Sequence, residues 1–354
     1  MGAVQDGLLV DYAIWRPGRP DGVGDVHRGR VTTPMPGLAG AFVAIGDTDG
    51  FLPDSAGAAG RGVGDMLLVR VVRAAQGGKG PRLSVVAGPP GNGPAQRLHL
   101  GPNAVERLAA LHDGPVLIDD PAVATLLRAA LGERLILGPV LGHPVDGVSF
   151  ADRLDALEVG SVTLPGGLRA SIHPTPALVA IDVDTQAASA GRAEKRMSQE
   201  ALNRAMLPAL AREIRLRNLS GAILIDLAGL SVRRRVALTQ DLQTALLPDP
   251  LAPRLLGFTG LGLAEIVRAR VHPPLHELLA GPHAAGLVAL RVLEAQADLA
   301  HPPSLRAAPG VVAALQSDPA ALPALAARWG RPLRLRADPA LPGTTWIIED
   351  TADA

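Results

Sequence analysis

Ala177-Leu-Val-Ala-Ile-Asp182 and Gly221-Ala-Ile-Leu-Ile-Asp226 are two unbroken apolar runs, each ending in an acid. Runs of this length read as central strands buried on both faces of a sheet. Residues 198–217 between them read as a long helix, so the three segments form a β-α-β unit. If the strands are parallel and in register, Asp182 and Asp226 meet at the same edge of the sheet. Asp184, two residues beyond Asp182, lies on the same side of an extended chain.

Upstream of this unit, strands at 160–164 and 167–172 flank the hairpin signal Leu164-Pro-Gly-Gly167. A strand at 115–118 lies between helices at 103–112 and 121–131. Residues 7–15 read as one strand. Five short β-like runs follow, at 26–33, 40–46, 50–53, 65–74 and 82–87, divided by Gly-rich turns. That pattern predicts a small Greek-key barrel, an OB-fold. The segment 88–102 is rich enough in Gly and Pro to read as a linker without regular structure. Downstream come a helix at 233–247, the stretch 255–263, a helix carrying Arg268 and Arg270, and an Ala/Leu-rich helix beyond 286. A helix at 318–329 and strands at 332–336 and 344–349 complete a small α/β tail domain. The expected class is mixed α+β.

The 354 residues suffice for two or three domains of ~150 residues each. Lys+Arg and Asp+Glu both total 34, which excludes a globally basic binder and leaves only local patches to attract nucleic acid. The absence of Cys excludes disulfides, thiolate catalysis and Cys-ligated zinc or iron–sulfur centres. Nine His residues include no HExxH pattern, and no GxxxxGK[ST] loop occurs. No stretch approaches the ~18–20 apolar residues that cross a bilayer. The N-terminus lacks a basic region followed by an apolar run, so a cytoplasmic protein is expected.

Two carboxylates at neighbouring strand ends suit Mg²⁺, which takes one or two protein carboxylates, keeps waters and binds phosphate. Asp182 and Asp226 are the metal candidates, and Asp184 adds an outer contact. The competing reading makes each Asp a cap or turn residue. In the barrel, Phe42 and Phe51 are two of only four phenylalanines, Arg73 lies on a strand, and Lys79 sits in the turn Gly77-Gly-Lys-Gly80. Aromatics and cations on one OB-fold face bind single strands by stacking and phosphate contact. The alternative puts both rings in the barrel core and Lys79 in solvent. Arg192, Lys195 and Arg196, and Arg233 to Arg235, are short basic clusters that read either as a local positive field or as solvated helix faces.

Along nearly its whole length the chain resembles the ribonuclease E/G family of metal-dependent endoribonucleases. The resemblance rests on Gly29-Arg-Val31, Gly40-Ala-Phe-Val43, Gly46, Gly50-Phe-Leu52 and Gly78-Lys-Gly80 in the barrel. It continues in Leu164-Pro-x-Gly167, Ala177–Asp182, Arg215-Leu-Arg-Asn-Leu-Ser-Gly221-x-Ile-Leu-Ile-Asp226 and Leu256-Gly-Phe-Thr-x-Leu-Gly-Leu263-x-Glu265-x-x-Arg268-x-Arg270. The tail from Ala326 to Asp338 resembles the family's small C-terminal domain. The resemblance implies an S1-type OB-fold at 24–88, inserted near the N-terminus of an α/β nuclease-like catalytic region. It further implies an RNase H-like subdomain at 1–23 and 112–160, a reduced sensor linker at 89–111, a DNase I-like catalytic domain at 161–285 and a small domain at 286–354. Mg²⁺ on Asp182 and Asp226 and single-stranded RNA on Phe42, Phe51, Arg73, Lys79 and Arg254 follow, with hydrolysis leaving 5′-phosphate and 3′-hydroxyl ends. RNA-degradation complex proteins are the implied partners. Four departures stand out. Asp184 replaces a usual Asn, and Gly229 replaces a usual acid. Residues 280–286 hold no cysteine for the family's zinc link, so neither zinc nor zinc-linked oligomers are expected. Residues 89–114 are too few for the family's 5′-end sensor, so weakened 5′-end sensing is expected. The alternative is a weakened or inactive RNA-binding descendant.

Overall fold

The computed structural model describes residues 1–185, 199–296 and 303–349. They fall into two compact units, residues 1–14 with 21–275 and residues 15–20 with 276–354. Arg192, Lys195 and Arg196 lie outside the described residues.

The first unit opens with the hairpin β1 (Gly2–Gln5) and β2 (Leu8–Tyr12), where the sequence predicts one strand over 7–15. Asp6 and Gly7 both take positive φ, 51° and 75°, as a two-residue hairpin turn requires. Then β3 (Val26–Met35), β4 (Gly40–Ala44), β5 (Asp49–Pro53), β6 (Met66–Arg73) and β7 (Arg82–Val85) pair in the order β4-β5-β7-β6-β3. Strand β3 pairs back onto β4, so five strands close into a barrel consistent with an OB-fold. Val31, Val43, Leu52, Val69 and Leu83 fill its interior.

The stretch predicted to be irregular contains a further strand, β8 (Gln96–His99), added beside β3. Arg97 Nη1 lies 3.3 Å from Asp25 Oδ2, and Gly101 N donates to Asp25 Oδ1 at 2.7 Å. The Gly/Pro portion before it is a loop laid over Arg28, whose Nε donates to Pro90 O at 2.8 Å. Long-range pairing with β3 therefore overrides local composition.

Next come α1 (Ala104–Leu111), β9 (Val116–Ile118), α2 (Pro121–Leu131), β10 (Leu135–Leu137), β11 (Pro144–Val145), β12 (Val148–Ser149) and α3 (Phe150–Glu158). The main sheet follows, from β13 (Ser161–Leu164), β14 (Leu168–Pro174), β15 (Val179–Thr185), α4 (Gln199–Leu216) and β16 (Gly221–Asp226). It continues with α5 (Val232–Val236), α6 (Thr239–Leu246), β17 (Arg254–Phe258) and β18 (Ala264–Arg268), and a short α7 (Leu275–Leu278) follows. Strand order is β13-β14-β15-β16-β18-β17, with β15 and β16 parallel. The predicted β-α-β unit is present. In place of the single helix predicted over 233–247, the chain breaks between α5 and α6 and buries Leu238 completely.

Two expectations change. Strands β15 and β16 are covered on one face only: Val179, Ile181, Val183, Ile223 and Ile225 are buried, while Asp182 and Asp184 are exposed and Asp226 half-exposed. Helix α4 supplies the cover through Leu202, Met206, Leu207, Leu210 and Ile214, whose three- and four-residue spacing aligns them on one side. On the other face the alternating residues are Ala180, Asp182 and Asp184 on β15 and Ala222, Leu224 and Asp226 on β16, so only Leu224 is large and apolar. Secondly, Arg268 is not on a helix. In β18 the buried side is Ala264, Ile266 and Arg268, and the buried arginine hides the two-residue period. It is held by Asp249 Oδ2 at 2.6 Å and Asn218 Oδ1 at 2.6 Å.

Ion pairs tie α4 to its surroundings within this unit. Arg215 grips both oxygens of Asp11 of β2 through Nε and Nη2, and His112 Nε2 sits 2.6 Å from the same carboxylate. Glu213, almost fully buried, pairs with Arg153 of α3 and with Arg217.

In the second unit α8 (Gly281–Gln296), α9 (Pro309–Gln316) and α10 (Ala321–Trp329) accompany the sheet of β19 (Ser304–Ala307), β20 (Leu335–Ala337) and β21 (Trp346–Glu349). Its strand order is β20-β19-β21, over a core of Leu290, Leu293, Leu305, Val311 and Leu315. Asp318 joins His283 Nε2 at 2.8 Å and caps α10 through Ala320 N and Ala321 N.

Candidate active site and nucleic-acid interface

Asp182 and Asp226 are direct register partners across β15 and β16. Register partners in a sheet point to the same face, one strand spacing of ~4.8 Å apart. Asp184 joins them on that open face by the two-residue period. The three carboxylates repel one another. The Asp182 carboxyl is raised above its ordinary 3.8 by partial burial first, then by the charge and hydrogen bond of Asp184 and the charge of Asp226. His173 on β14 works weakly in the other direction.

Register carries the same face outward. Ser171 and Arg169 of β14 face Asp182 and Asp184, and Arg169 Nη2 is fixed on Ser161 Oγ at 2.8 Å. On the other side Glu265 of β18 partners Leu224, and Arg254 of β17 partners Val267. Arg254 thus shares the open face. It lies four residue steps and two strands from Asp226, roughly 16 Å away, so it does not meet the acids directly.

Asp226 has a counter-charge. Arg235 Nη1 of α5 lies 2.5 Å from Asp226 Oδ1. The angle is not that of a hydrogen bond, so this buried oxygen remains without a hydrogen-bond donor. Arg235 is anchored elsewhere, by Leu230 O at 2.9 Å and Gly262 O at 3.3 Å. Leu230 ends the turn after Asp226, and Asn203 of α4 secures that turn by donating to Ala228 O at 2.9 Å. Gly229 within it has φ of 58°, a left-handed conformation that a larger residue adopts only with strain.

This donor set fits a small hard cation. Two carboxylates share one face, their mutual repulsion is relieved by Arg235 and only weakly by His173, and one buried oxygen lacks a donor. Among the described residues no group of three or more His, Cys, Asp or Glu side chains forms a ligand set. A cation here would therefore take two protein oxygens and fill its remaining positions with water or phosphate, as Mg²⁺ does.

The outer wall of the barrel has the opposite character. Phe42 and Phe51 are register partners whose rings meet edge to face, centroids 5.7 Å apart and 69° between planes. Both are half-buried and neither belongs to the barrel core. A Cβ on Gly40 would lie 2.6 Å from Phe51 Cζ, so the Phe51 ring rests over that glycine. The line of register partners continues from Phe51 to Arg82 of β7, and from Arg82 to Arg73 of β6. Lys79 is exposed beside a tight turn in which Gly77 and Gly78 have φ of 58° and 71°.

Sequence reading singled out Asp182, Asp226, Asp184, Phe42, Phe51, Arg73, Lys79 and Arg254; the fold puts the three acids and Arg254 on one sheet face, lines up Phe42, Phe51 and Arg73 by register on the barrel, and leaves Lys79 in an exposed turn. It missed Arg82, whose place beside Arg73 depends on a bulge at Val72. It named Arg235 only as part of a basic run. Its pairing with Asp226 follows from the α5 turn, which no local pattern announces.

The family model described as "Ribonuclease E/G family" matches residues 144–271, the segment that builds the acidic face. The chain is similar to Ribonuclease E of Escherichia coli K12, 31% identical over 179 residues, which cover 46% of this chain and 16% of that protein. It is 34% identical over 122 residues to Ribonuclease E of Nostoc sp. PCC 7120, covering 33% of this chain and 17% of that one. Against Ribonuclease G of Escherichia coli K12 identity is 33% over 121 residues, 33% of this chain and 24% of that protein. The chain thus spans between about a sixth and a quarter of the length of these curated relatives. The segment that carries the paired acids is thus the part of this chain that matches the ribonuclease E/G family.

Proposed function

We propose that this protein is an endoribonuclease that hydrolyses phosphodiester bonds of single-stranded RNA with Mg²⁺ held by Asp182 and Asp226. The observation that carries the reading is their register pairing on the open face of a segment matching ribonuclease E/G. Mg²⁺, when bound, supplies charge stabilisation at the phosphoryl group and activation of water. Asp184 holds Asp182 in a strongly anionic setting. Arg235 keeps Asp226 from rotating and tempers its charge. Arg169 and Arg254 flank the acids on the same face, where they attract the RNA backbone. In the reaction a water oxygen bonds to phosphorus, the bond from phosphorus to O3′ breaks, and the proton passes to O3′. The products carry a 5′-phosphate and a 3′-hydroxyl. The barrel is read as S1-type, inserted between the N-terminal hairpin and the catalytic segment, and gripping bases on Phe42 and Phe51 with Lys79 and Arg73 on phosphates. Among the described residues no helix is long and apolar enough to cross a membrane.

The test is a labelled single-stranded RNA incubated with protein and Mg²⁺ or with chelator, in parallel with Asp226→Asn. Cleavage that needs Mg²⁺ and vanishes in the variant supports the assignment. Cleavage indifferent to both removes it. The contact of Arg235 with Asp226 favours a second reading, an RNA-binding protein without cleavage, because a guanidinium already occupies a carboxylate oxygen. RNA retained in a gel shift, with no cleavage by wild type or by Arg235→Gln, selects that reading.

A further inference from the structure

Three arginines converge where the barrel meets the sheet. Strand β6 carries a bulge at Val72: Val71 pairs with Leu83 inside the barrel, whereas Arg73 pairs with Arg82 outside it. Arg270 follows β18 by two residues and lies against Gly221, the first residue of β16. A Cβ on Gly221 would sit 2.4 Å from Arg270 Nη2 and 2.8 Å from Cζ, and its φ of 85° also favours glycine. The guanidinium therefore has a seat that only glycine leaves free. Next to Arg73 and Arg270 in sequence, Ala74 N donates to Val271 O at 2.8 Å, which latches the barrel strand to the sheet.

Like charges brought together in this way call for an explanation. Arg73 is lowered from its ordinary value by burial first, then by the charges of Arg82 and Arg270. Among the described residues no carboxylate pairs with any of the three, and Arg73 Nε is buried without a hydrogen-bond partner. Elsewhere in this unit Arg153, Arg217 and Arg268 have carboxylate partners, and Arg212, whose Nε is likewise buried without a hydrogen bond, is paired with Asp146. Guanidinium groups stay charged at any physiological pH, so an anion relieves this cluster.

We propose that Arg73, Arg82 and Arg270 form a binding site for a backbone phosphodiester of single-stranded nucleic acid, bridging barrel and sheet. The ligand class follows from position. The register line Phe42–Phe51–Arg82–Arg73 leads from the stacking rings to the cluster, and β16 leads from Arg270's seat to Asp226, five residue steps or ~17 Å further on. Along the chain direction the site thus lies between the place where bases stack and the end of β16 that carries Asp226. It rests on the reading of the chain as a binder of single-stranded RNA.

The experiment measures binding of the full chain to a fluorescein-labelled oligouridine in chelator, by anisotropy across a salt series. Wild type, Arg82→Gln, Arg270→Gln, Arg270→Lys and the exposed Arg128→Gln on α2 are compared, each checked for its melting temperature. Loss of a charge-assisted contact is expected to weaken binding about tenfold in Arg82→Gln and in Arg270→Gln. The slope of log K against log salt should shrink by about 0.7 in each. Arg270→Lys should keep the wild-type slope, and Arg128→Gln should change nothing. Wild-type slope in both glutamine variants overturns the proposal while leaving RNA binding intact; failure of wild type to bind at all overturns the reading beneath it. Oligonucleotides ending in 5′-hydroxyl and in 5′-phosphate separate two sources of phosphate. Equal losses on both support the diester, and a loss confined to the 5′-phosphate form overturns it.

Discussion

The open face of the sheet and the outer wall of the barrel are built by one rule with opposite signs. On the sheet, Asp182, Asp184 and Asp226 stand together with little relief beyond Arg235. On the barrel, Arg73 and Arg82 stand together beside two aromatic rings. The interior follows a different rule. Asp11 with Arg215 and His112, Glu213 with Arg153 and Arg217, and Asp249 with Arg268 are all matched. The contrast separates charge that is neutralised within the fold from charge that, on the proposed reading, is left for a ligand.

The largest expected effect lies on the sheet. Asp226→Asn should reduce RNA cleavage by about a thousandfold, since cation-assisted charge stabilisation is worth several kcal/mol. Binding in chelator should be retained or tightened, because one anion facing the RNA is gone. A gel-based rate assay beside a binding isotherm checks both halves, and equal loss of cleavage and binding would erase the contrast between the faces. Next in size, Glu213→Ala leaves Arg217, which burial already lowers to about 10, without a carboxylate and leaves Arg153 with Asp146 alone. Breaking a buried pair costs about 3–5 kcal/mol, read as a shift of the urea midpoint. An unchanged midpoint would mean that these interior pairs contribute no more than surface ones.

On the barrel, Phe42→Ala should weaken binding of single-stranded RNA by about 1–3 kcal/mol without altering the stability slope in urea, because the ring is outside the core. Normal binding by this variant would return the pair Phe42–Phe51 to a packing role. The smallest effect is in pH. The Asp182 carboxyl is raised in the folded protein, so folding favours its protonated form. Its contribution to stability is full below the ordinary value of 3.8 and is lost as pH rises through the raised folded value. Melting temperatures taken upward from that pH should fall slightly in wild type, and less in Asp182→Asn. Parallel curves would mean that the three acids do not sense each other.

Much of this was written in the sequence where local pattern and long-range pairing agree. The apolar runs 177–182 and 221–226 specify parallel neighbours whatever joins them, so the meeting of the two acids was legible. That one face is open was not, because Ala180, Ala222 and Leu224 make the runs look apolar throughout. Arg268 masks a strand by occupying a core position with its own counter-ion. Strand β8 is hidden in Gly/Pro-rich chain because its partner, β3, lies some seventy residues away along the chain. Arg82 and Arg235 acquire their roles from a bulge and a turn, which residue types alone do not encode.

Val72 acts as a phase shifter within a single strand. Before it the odd positions Leu67, Val69 and Val71 face inward, and after it the even position Ala74 does. Were Val72 paired as an ordinary strand residue with no bulge, the two-residue period would swing the guanidinium of Arg73 toward the hydrocarbon lining of the barrel. Any comparison of this chain with a relative must therefore keep its place in the count at Val72, or it will assign the cation to the wrong side of the wall.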